Sequence, residues 1–376
     1  MSNDIPTYKH DTKIIILPRY VYVYSIVNSR FDYFNYESIY QLSKINGASS
    51  IDEIINQLIN EFPDVSGPKI VEDLTELIDY LIGRGYVFFA HTSMFGQHTF
   101  TEFNSASIYR ILHTDIELTR RCNQQCLYCY NSSTNGSELS ASKWIETIDH
   151  LYIDGLRSIK ITGGEPFLFR DIFEIIDSAA DRFILTINTN GSLLNELICS
   201  NLSKHKNISI QVSIDSSSPE IHNKYRGEGT WELAFNAIQL LNKYKIKTII
   251  STTLYNENLN EVLALKELAH KYFSKIVFEH VKAYGRASDI IDRLSDASSL
   301  AEDGCQVDFG KVYITCDGFV KPCNIPEDIR FTNHGIMIKL DDFLNQKFND
   351  TKIVAELIKK TETNICSKTS KCLYFN

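Results

Sequence analysis

From Ile108 to about Val281 the chain alternates strand-like and helix-like segments, and this alternation restricts its fold more than any other feature. β-branched and apolar runs at 112–119, 158–162, 183–189, 208–214, 247–254 and 275–281 are separated by amphipathic stretches near 141–153, 171–181, 192–204, 230–244 and 259–272. Strand followed by helix followed by strand predicts a parallel α/β sheet or partial barrel, with functional residues at the C-terminal strand ends. The pattern Asn258-Leu-Asn-Glu261 predicts a capping box opening the last of these helices.

The flanks read differently. Ile14–Val27 is rich in β-branched and aromatic residues, as one or two strands interrupted at Pro18 would be. Ser50-Ile-Asp-Glu53 is a second capping-box pattern, and Ile51, Ile54, Ile55, Leu58, Ile59 and Phe62 share one face of the helix it opens. A further helix carries Ile70, Val71, Leu74, Leu77, Ile78, Leu81 and Ile82, and Val87–Ala90 reads as a returning strand. Together these predict a winged-helix-like domain over 1–92. His91–Ser107 is polar and aperiodic, as a linker would be, and the chain beyond 290 is loop-rich. A winged helix invites a DNA-binding reading, against which the charge argues. Residues 1–100 hold seven Lys/Arg against twelve Asp/Glu, and the whole chain carries −9. No apolar run approaches the ~20 residues of a bilayer span, and the N-terminus lacks a signal pattern. A cytoplasmic protein with neither a nucleic-acid nor a membrane partner is expected.

Nine cysteines stand at 122, 126, 129, 199, 305, 316, 323, 366 and 372, none of them in the first 121 residues. In a large chain without a secretion signal, clustered thiols point to metal rather than to a disulfide framework. Cys122-Asn-Gln-Gln-Cys126-Leu-Tyr-Cys129 follows directly on the first barrel strand. Three thiolates in one loop can hold three irons of a [4Fe–4S] cluster, which ordinarily takes four cysteines. The fourth iron is then left open, as in a catalytic metal site. A zinc loop or three packed thiols are the alternatives. Zinc wants a fourth ligand, and His113 and His150 sit at neither knuckle spacing.

The x3 and x2 spacing, with the aromatic Tyr128 before the last cysteine, resembles the radical S-adenosylmethionine (SAM) superfamily. The likeness runs over about 170 residues. Ile161-Thr-Gly163-Gly164-Glu165-Pro166 resembles the segment that holds the methionine amino group of SAM. Asn188-Thr-Asn190-Gly191 resembles the segment near the ribose. Ser213-Ile-Asp215 and the stretch containing Arg226 resemble segments in which a serine and an arginine contact the ribose and the carboxylate. Glu279 through Ala283-Tyr-Gly-Arg286-Ala resembles the sixth strand and its exit. The residues agree with these roles: glycines admit close backbone approach, a carboxylate pairs with an ammonium, and an arginine forks onto a carboxylate. The resemblance implies a (β/α)6 partial TIM barrel over 108–288. It also implies a [4Fe–4S] cluster on Cys122, Cys126 and Cys129, and a 5′-deoxyadenosyl radical that takes hydrogen from the substrate.

The spacing C-x12-G-x4-C from Cys305 to Cys323, followed by C-x5-C at Cys366 and Cys372, resembles the auxiliary-cluster domains of radical SAM peptide-modifying enzymes. A shortened, one-cluster version over 289–376 is implied, making a small C-terminal iron–sulfur domain; structural zinc is the alternative. Cys316 is a spare thiol that could replace a ligand or act on substrate. Cys199, among leucines, reads as packing. The N-terminal domain resembles the precursor-recognition modules of enzymes that mature ribosomally made peptides. In that family a leader peptide adds as a strand beside the module's sheet and packs on its third helix. Leader contacts are then expected near Tyr20–Val27 and Ile70–Ile82.

These likenesses imply a maturase that cross-links a precursor peptide, with a thioether favoured and a carbon–carbon bond the alternative, and a flavodoxin or ferredoxin as electron donor. A peptide epimerase, a small-metabolite enzyme and a non-catalytic zinc-containing peptide scaffold are the rival readings.

Overall fold

The structure is a computed structural model and describes residues 5–9, 12–16, 20–25, 30–35, 38–90, 100–102, 113–131, 136–272, 274–281, 285–288, 290, 294, 311–321 and 338–345. It divides into two compact units, Met1–Tyr109 and Arg110–Asn376.

In the first unit, β1 (Ile5–Tyr8) pairs antiparallel with β5 (Val87–Ala90). A second sheet has the order β4-β3-β2-β6, from β2 (Lys13–Ile16), β3 (Tyr20–Ser25), β4 (Arg30–Asn35) and β6 (Phe100–Glu102). Three helices lie between the strands in sequence: α1 (Ile39–Lys44), α2 (Ile51–Glu61) and α3 (Gly67–Gly83). The Ser50 capping box forms as expected: the Ser50 N–H donates to Glu53 at 2.8 Å, and Ser50 Oγ accepts from the Glu53 N–H at 3.3 Å. Leu42, Ile54, Leu58, Leu74, Leu81 and Tyr86 close the core, each full burial being worth about 1.5–3 kcal/mol.

Two expectations change here. Phe100–Glu102 lies inside the stretch read as linker, yet it pairs parallel with Ile14–Ile16; three residues are too few to show a period. β3, within the stretch expected to receive a leader strand, is hydrogen-bonded on both sides, to β2 and β4. An added strand needs an unpaired edge, and among the described residues the sheet's outer strands are β4 and β6.

The second unit is an α/β fold built on one nine-stranded sheet in the order β12-β11-β10-β9-β8-β7-β13-β14-β15. Its parallel part comprises β7 (His113–Thr119), β8 (Ser158–Gly163), β9 (Ile184–Thr189), β10 (Ile208–Ser213), β11 (Lys247–Leu254) and β12 (Lys275–His280). Between them run α4 (Ala141–Ile153), α5 (Ile172–Ala179), α6 (Glu196–Leu202), α7 (Pro219–Arg226), α8 (Thr230–Lys243) and α9 (Val262–Lys271). Alternate residues such as Ile159, Ile161, Leu185, Ile187, Ile210 and Val212 are buried. Thr162, Asn188, Gln211, Ser213 and Ser251 on the opposite face line a cavity.

β13 (Lys311–Ile314) adds parallel to β7, and β14 (Phe319–Lys321) and β15 (Ile338–Lys339) follow antiparallel, with α10 (Leu340–Asn345) after them. This part of 289–376 therefore extends the barrel's own sheet.

The capping box expected at Asn258–Glu261 does not form. Residues Asn256–Glu261 are a 3-10 turn and the helix begins at Val262. Asn258 instead accepts from the Tyr255 N–H at 2.8 Å and donates to the carbonyls of Thr253 and Asp215. Glu261 accepts from Ser216 and Ser217. Both side chains secure the exits of β10 and β11, which outweighs local capping. No helix among the described residues is long and apolar enough to cross a membrane.

Candidate active site

The cysteine loop starts from a rigid base. At the end of β7, Thr119 Oγ1 hydrogen-bonds Glu138, and Arg121 forks onto the same carboxylate at 2.8 and 3.0 Å. The exit of β8 lies directly against this base: Gly164 N donates to Thr119 O at 2.7 Å and Glu165 N to Arg121 O at 2.8 Å. A Cβ on Gly163, whose φ is +138°, would lie 2.2 Å from Thr119 O, and one on Gly164 would lie 2.1 Å from Arg121 O. The two glycines are thus required for backbone to meet backbone, in addition to facing the cavity.

Glu165, expected to face the cofactor's amino group, does not line the cavity and is fully buried. Its carboxylate accepts from the N–H groups of Phe167 and Asn190 and from Thr189 Oγ1, at 3.1, 2.8 and 2.9 Å. It ties the exit of β8 to that of β9, and burial pushes its pKa up to about 7. Asn190, next along, donates to Asn123 at 2.9 Å and approaches Cys122 Sγ at 3.9 Å, so it holds the cysteine loop from the side.

Cys122, Cys126 and Cys129 are free thiols and line one cavity enclosing about 180 Å3, with Tyr128, Gly163, Gly164, Asn190, Ser213 and Arg226 also in its wall. Among the described residues no three Cys, His, Asp or Glu side chains converge on a point that suits a single metal ion. Three thiols lining one cavity suit a polynuclear cluster, where each sulfur takes its own iron. Burial raises all three thiols, Cys126 to about 11. Their ionisation therefore needs a cation, which a metal centre supplies. The site fits a [4Fe–4S] cluster.

Arg226 was expected to fork onto the cofactor's carboxylate. In the structure its fork closes on Asp215, Nε to Oδ2 at 2.7 Å and Nη2 to Oδ1 at 3.0 Å. Asp215 is fully buried and also accepts from Tyr128 Oη and from the Thr253 N–H at 3.1 Å. Its own N–H donates to His222 Nδ1 at 3.1 Å, which fixes that ring nitrogen as an acceptor. Burial, followed by the Arg226 charge, lowers His222 to about 3, so the ring is neutral. Arg226 still lines the cavity, held by Asp215 with its guanidinium 5.4 Å from the Tyr128 ring centre.

Sequence reasoning missed Asp215 as the hub of this wall, although its position beside Ser213 was in view, because its partners lie eleven and eighty-seven positions away. It also missed Gln211, the register partner of Asn188 on the adjacent strand, which lines the cavity with it. The Oδ1 of Asn188 and the Nη2 of Arg286 are buried without a hydrogen-bond partner among the described residues. Asn188 lines the cavity, and an orphaned polar atom in its wall is what a site built for a polar ligand presents.

The remaining cysteines separate. Cys199 is fully buried on α6, as packing requires. Cys316 is also fully buried, lies outside the cavity wall, and has its thiol pushed up to about 12. Cys305, Cys323, Cys366 and Cys372 lie outside the described residues.

Comparison with known proteins agrees with the geometry. The profile of the Radical SAM superfamily matches residues 116–269. The antilisterial bacteriocin subtilosin biosynthesis protein AlbA of Bacillus subtilis is 30% identical over 210 residues, covering 54% of this chain and 46% of AlbA. The sporulation killing factor maturation protein SkfB of Bacillus subtilis is 28% identical over 257 residues, covering 59% of this chain and 62% of SkfB. The chain thus matches between about half and three fifths of these relatives' length. Among solved structures, Streptococcus suis SuiB bound to precursor peptide SuiA is similar in fold, with a TM-score of 0.60 at 13% identity over 98% of this chain and 93% of SuiB. Native anSMEcpe with bound AdoMet gives 0.51 at 19% identity over 69% of this chain and 88% of its own. The cysteine cavity at the strand ends, inside the matched segment, identifies residues 116–269 as a radical SAM enzyme domain, which uses a [4Fe–4S] cluster together with SAM.

Proposed function

We propose that this chain is a radical SAM maturase that installs a cross-link in a ribosomally made precursor peptide, with a thioether favoured over a carbon–carbon bond. The observation that carries the reading is the pairing, in one chain, of the three-cysteine cavity with a separate unit suited to hold a peptide. In that unit, β4 is an outer strand, and a groove of about 720 Å3 runs beside it, lined by Phe34, Tyr40, Phe62, Ile70, Leu77 and Tyr80 among others. A leader peptide would add along β4 and place alternate side chains in the groove. The matched relatives AlbA and SkfB, named for bacteriocin biosynthesis and for maturation of a sporulation killing factor, support the same reading.

Cys122, Cys126 and Cys129 would hold the cluster, with Tyr128, Gly163, Gly164, Asn190, Ser213 and Arg226 around the bound SAM. When bound, the cluster and SAM supply a carbon-centred radical that takes a hydrogen atom from the substrate. The chain's own part is orientation: Asp215 holds Arg226 and Tyr128 in the wall, and Glu165 locks two strand exits together. Closing a thioether removes one hydrogen atom from carbon, one proton from a cysteine thiol and one further electron. Cys305, Cys323, Cys366 and Cys372 would hold an auxiliary cluster suited to accept that electron. An external flavodoxin or ferredoxin would supply the electron that starts the reaction. An epimerase would need a thiol at the cavity to return hydrogen, and the burial of Cys316 away from it disfavours that reading.

Removing residues 1–90 tests the division of labour. The shortened chain is expected to form 5′-deoxyadenosine from SAM under reductant while losing affinity for the precursor's leader, measured by fluorescence anisotropy. An undiminished leader affinity would remove the recognition role. Mass spectrometry of the matured precursor should show the loss of two hydrogens per cross-link; an unchanged mass with an inverted stereocentre would favour the epimerase.

A further inference from the structure

The Gly285-Arg286-Ala287 turn follows β12 at the far end of the parallel sheet from β7, yet it closes on the cysteine loop that follows β7. Arg286 N donates to Cys129 O at 3.0 Å, and Arg286 Nε donates to Cys126 O at 2.8 Å. Gly285, with φ at +58°, lies so close that a Cβ would stand 2.4 Å from Tyr130 O and 2.5 Å from Cys129 O. Ala287 is fully buried in a small core with Tyr128, Tyr225 and Val281, against which Cys126 packs. The turn therefore grips the backbone on both sides of Cys126 and Cys129. The guanidinium's Nη2 is buried and has no partner among the described residues.

A buried arginine N–H without an acceptor is destabilising, so this position is stable when an anionic acceptor lies beside it. Thiolate-bound iron–sulfur clusters present such acceptors, and hydrogen bonds to their sulfurs and nearby charge set their reduction potential. Lysine could supply the charge but not the rigid fork that serves a carbonyl and a second acceptor together.

We infer that Arg286 is a positioning residue for the cluster: it fixes the cysteine loop through Nε and offers Nη2 and its charge to the cluster's sulfurs, raising the cluster's reduction potential. A fixed cation beside the cluster favours the state with one more electron.

The test uses the full chain, reconstituted anaerobically as wild type, Arg286→Gln and Arg286→Lys. Iron content, the thermal unfolding midpoint and the cluster's midpoint potential are measured before SAM is added. Arg286→Gln is expected to make the one-electron reduction constant at least tenfold less favourable, a shift of about 59 mV to more negative potential. Arg286→Lys, which keeps the charge, is expected to load iron and stay closer to wild type. A merely structural arginine would lower the unfolding midpoint and leave the potential unmoved, which overturns the inference. It is equally overturned if Arg286→Gln weakens only SAM binding at an unchanged potential. If Arg286→Gln holds no iron, the lysine variant decides: a near-wild-type potential supports the inference, and no cluster or a displaced potential overturns it.

Discussion

Two kinds of residue support the cavity from behind or within its wall, and they fail differently when changed. Gly164 is there because backbone from β8 touches backbone from β7, so no side chain can yield. Gly164→Ala would place a Cβ 2.1 Å from Arg121 O and should cost at least about 1–3 kcal/mol by forcing the strand exits apart. The measurable outcome is a lower unfolding midpoint together with reduced iron uptake, since Arg121 is next to Cys122. His222 belongs to the second kind, a titratable group held in one state. It is neutral in the folded chain down to about pH 3, whereas the unfolded ring titrates near 6.5. Between these values the unfolded state binds the extra proton, so stability is present above pH 6.5 and is lost as pH falls. The slope is about 1.4 kcal/mol per pH unit for one proton. Glu165 acts in the opposite sense over part of this window: its raised pKa means that stability falls as pH rises from about 4.5 to 7. Comparing His222→Gln with wild type at matched pH isolates the histidine. The variant should show a shallower loss on acidification in urea unfolding; parallel pH profiles would contradict this assignment.

At the scale of elements, the parallel strands and most of their helices were legible because each carries a period over six or more residues. α4, α8 and β11 lie where apolar spacing puts them, Ala141–Ile153, Thr230–Lys243 and Lys247–Leu254. What escaped was short or non-local. β6 has three residues, and α7 is polar enough to read as loop until the buried His222, Tyr225 and Arg226 show which face it turns inward. The three site cysteines could be read from spacing alone, because one loop holds them all. The partners of Arg226 and Glu165 could not, because the strand register decides which carboxylate meets which donor. In the first unit, Asp32 on β4 joins strand to helix: it accepts from Tyr80 Oη at 2.9 Å, Arg84 Nε at 2.7 Å and Tyr86 Oη at 2.6 Å. Asp32→Ala should cost about 1–3 kcal/mol by stranding partly buried donors and should widen the groove beside β4. The check is leader affinity measured alongside unfolding: stability should fall and affinity should drop, while an unaltered affinity would separate β4 from recognition.

For the molecule as a whole, the distribution of thiols follows the two units. The first 121 residues contain none, and the unit they mostly form is net acidic in sequence and carries an apolar-lined groove. The second unit places the sheet's polar face, the cysteine loop and the end of β12 around one cavity, and the turn after β12 hydrogen-bonds the cysteine loop. This fold brings together residues as far apart as Cys126 and Arg286. The account rests on the three thiols acting together as the ligands of one cluster that engages SAM. The most direct measurement is 5′-deoxyadenosine formation from SAM, under reductant and without oxygen, by reconstituted wild-type chain and by Cys126→Ala. The account predicts product from wild type, with iron bound and zinc absent, and none from the variant; product formation that survives Cys126→Ala, or a wild-type chain that binds zinc alone, would contradict it.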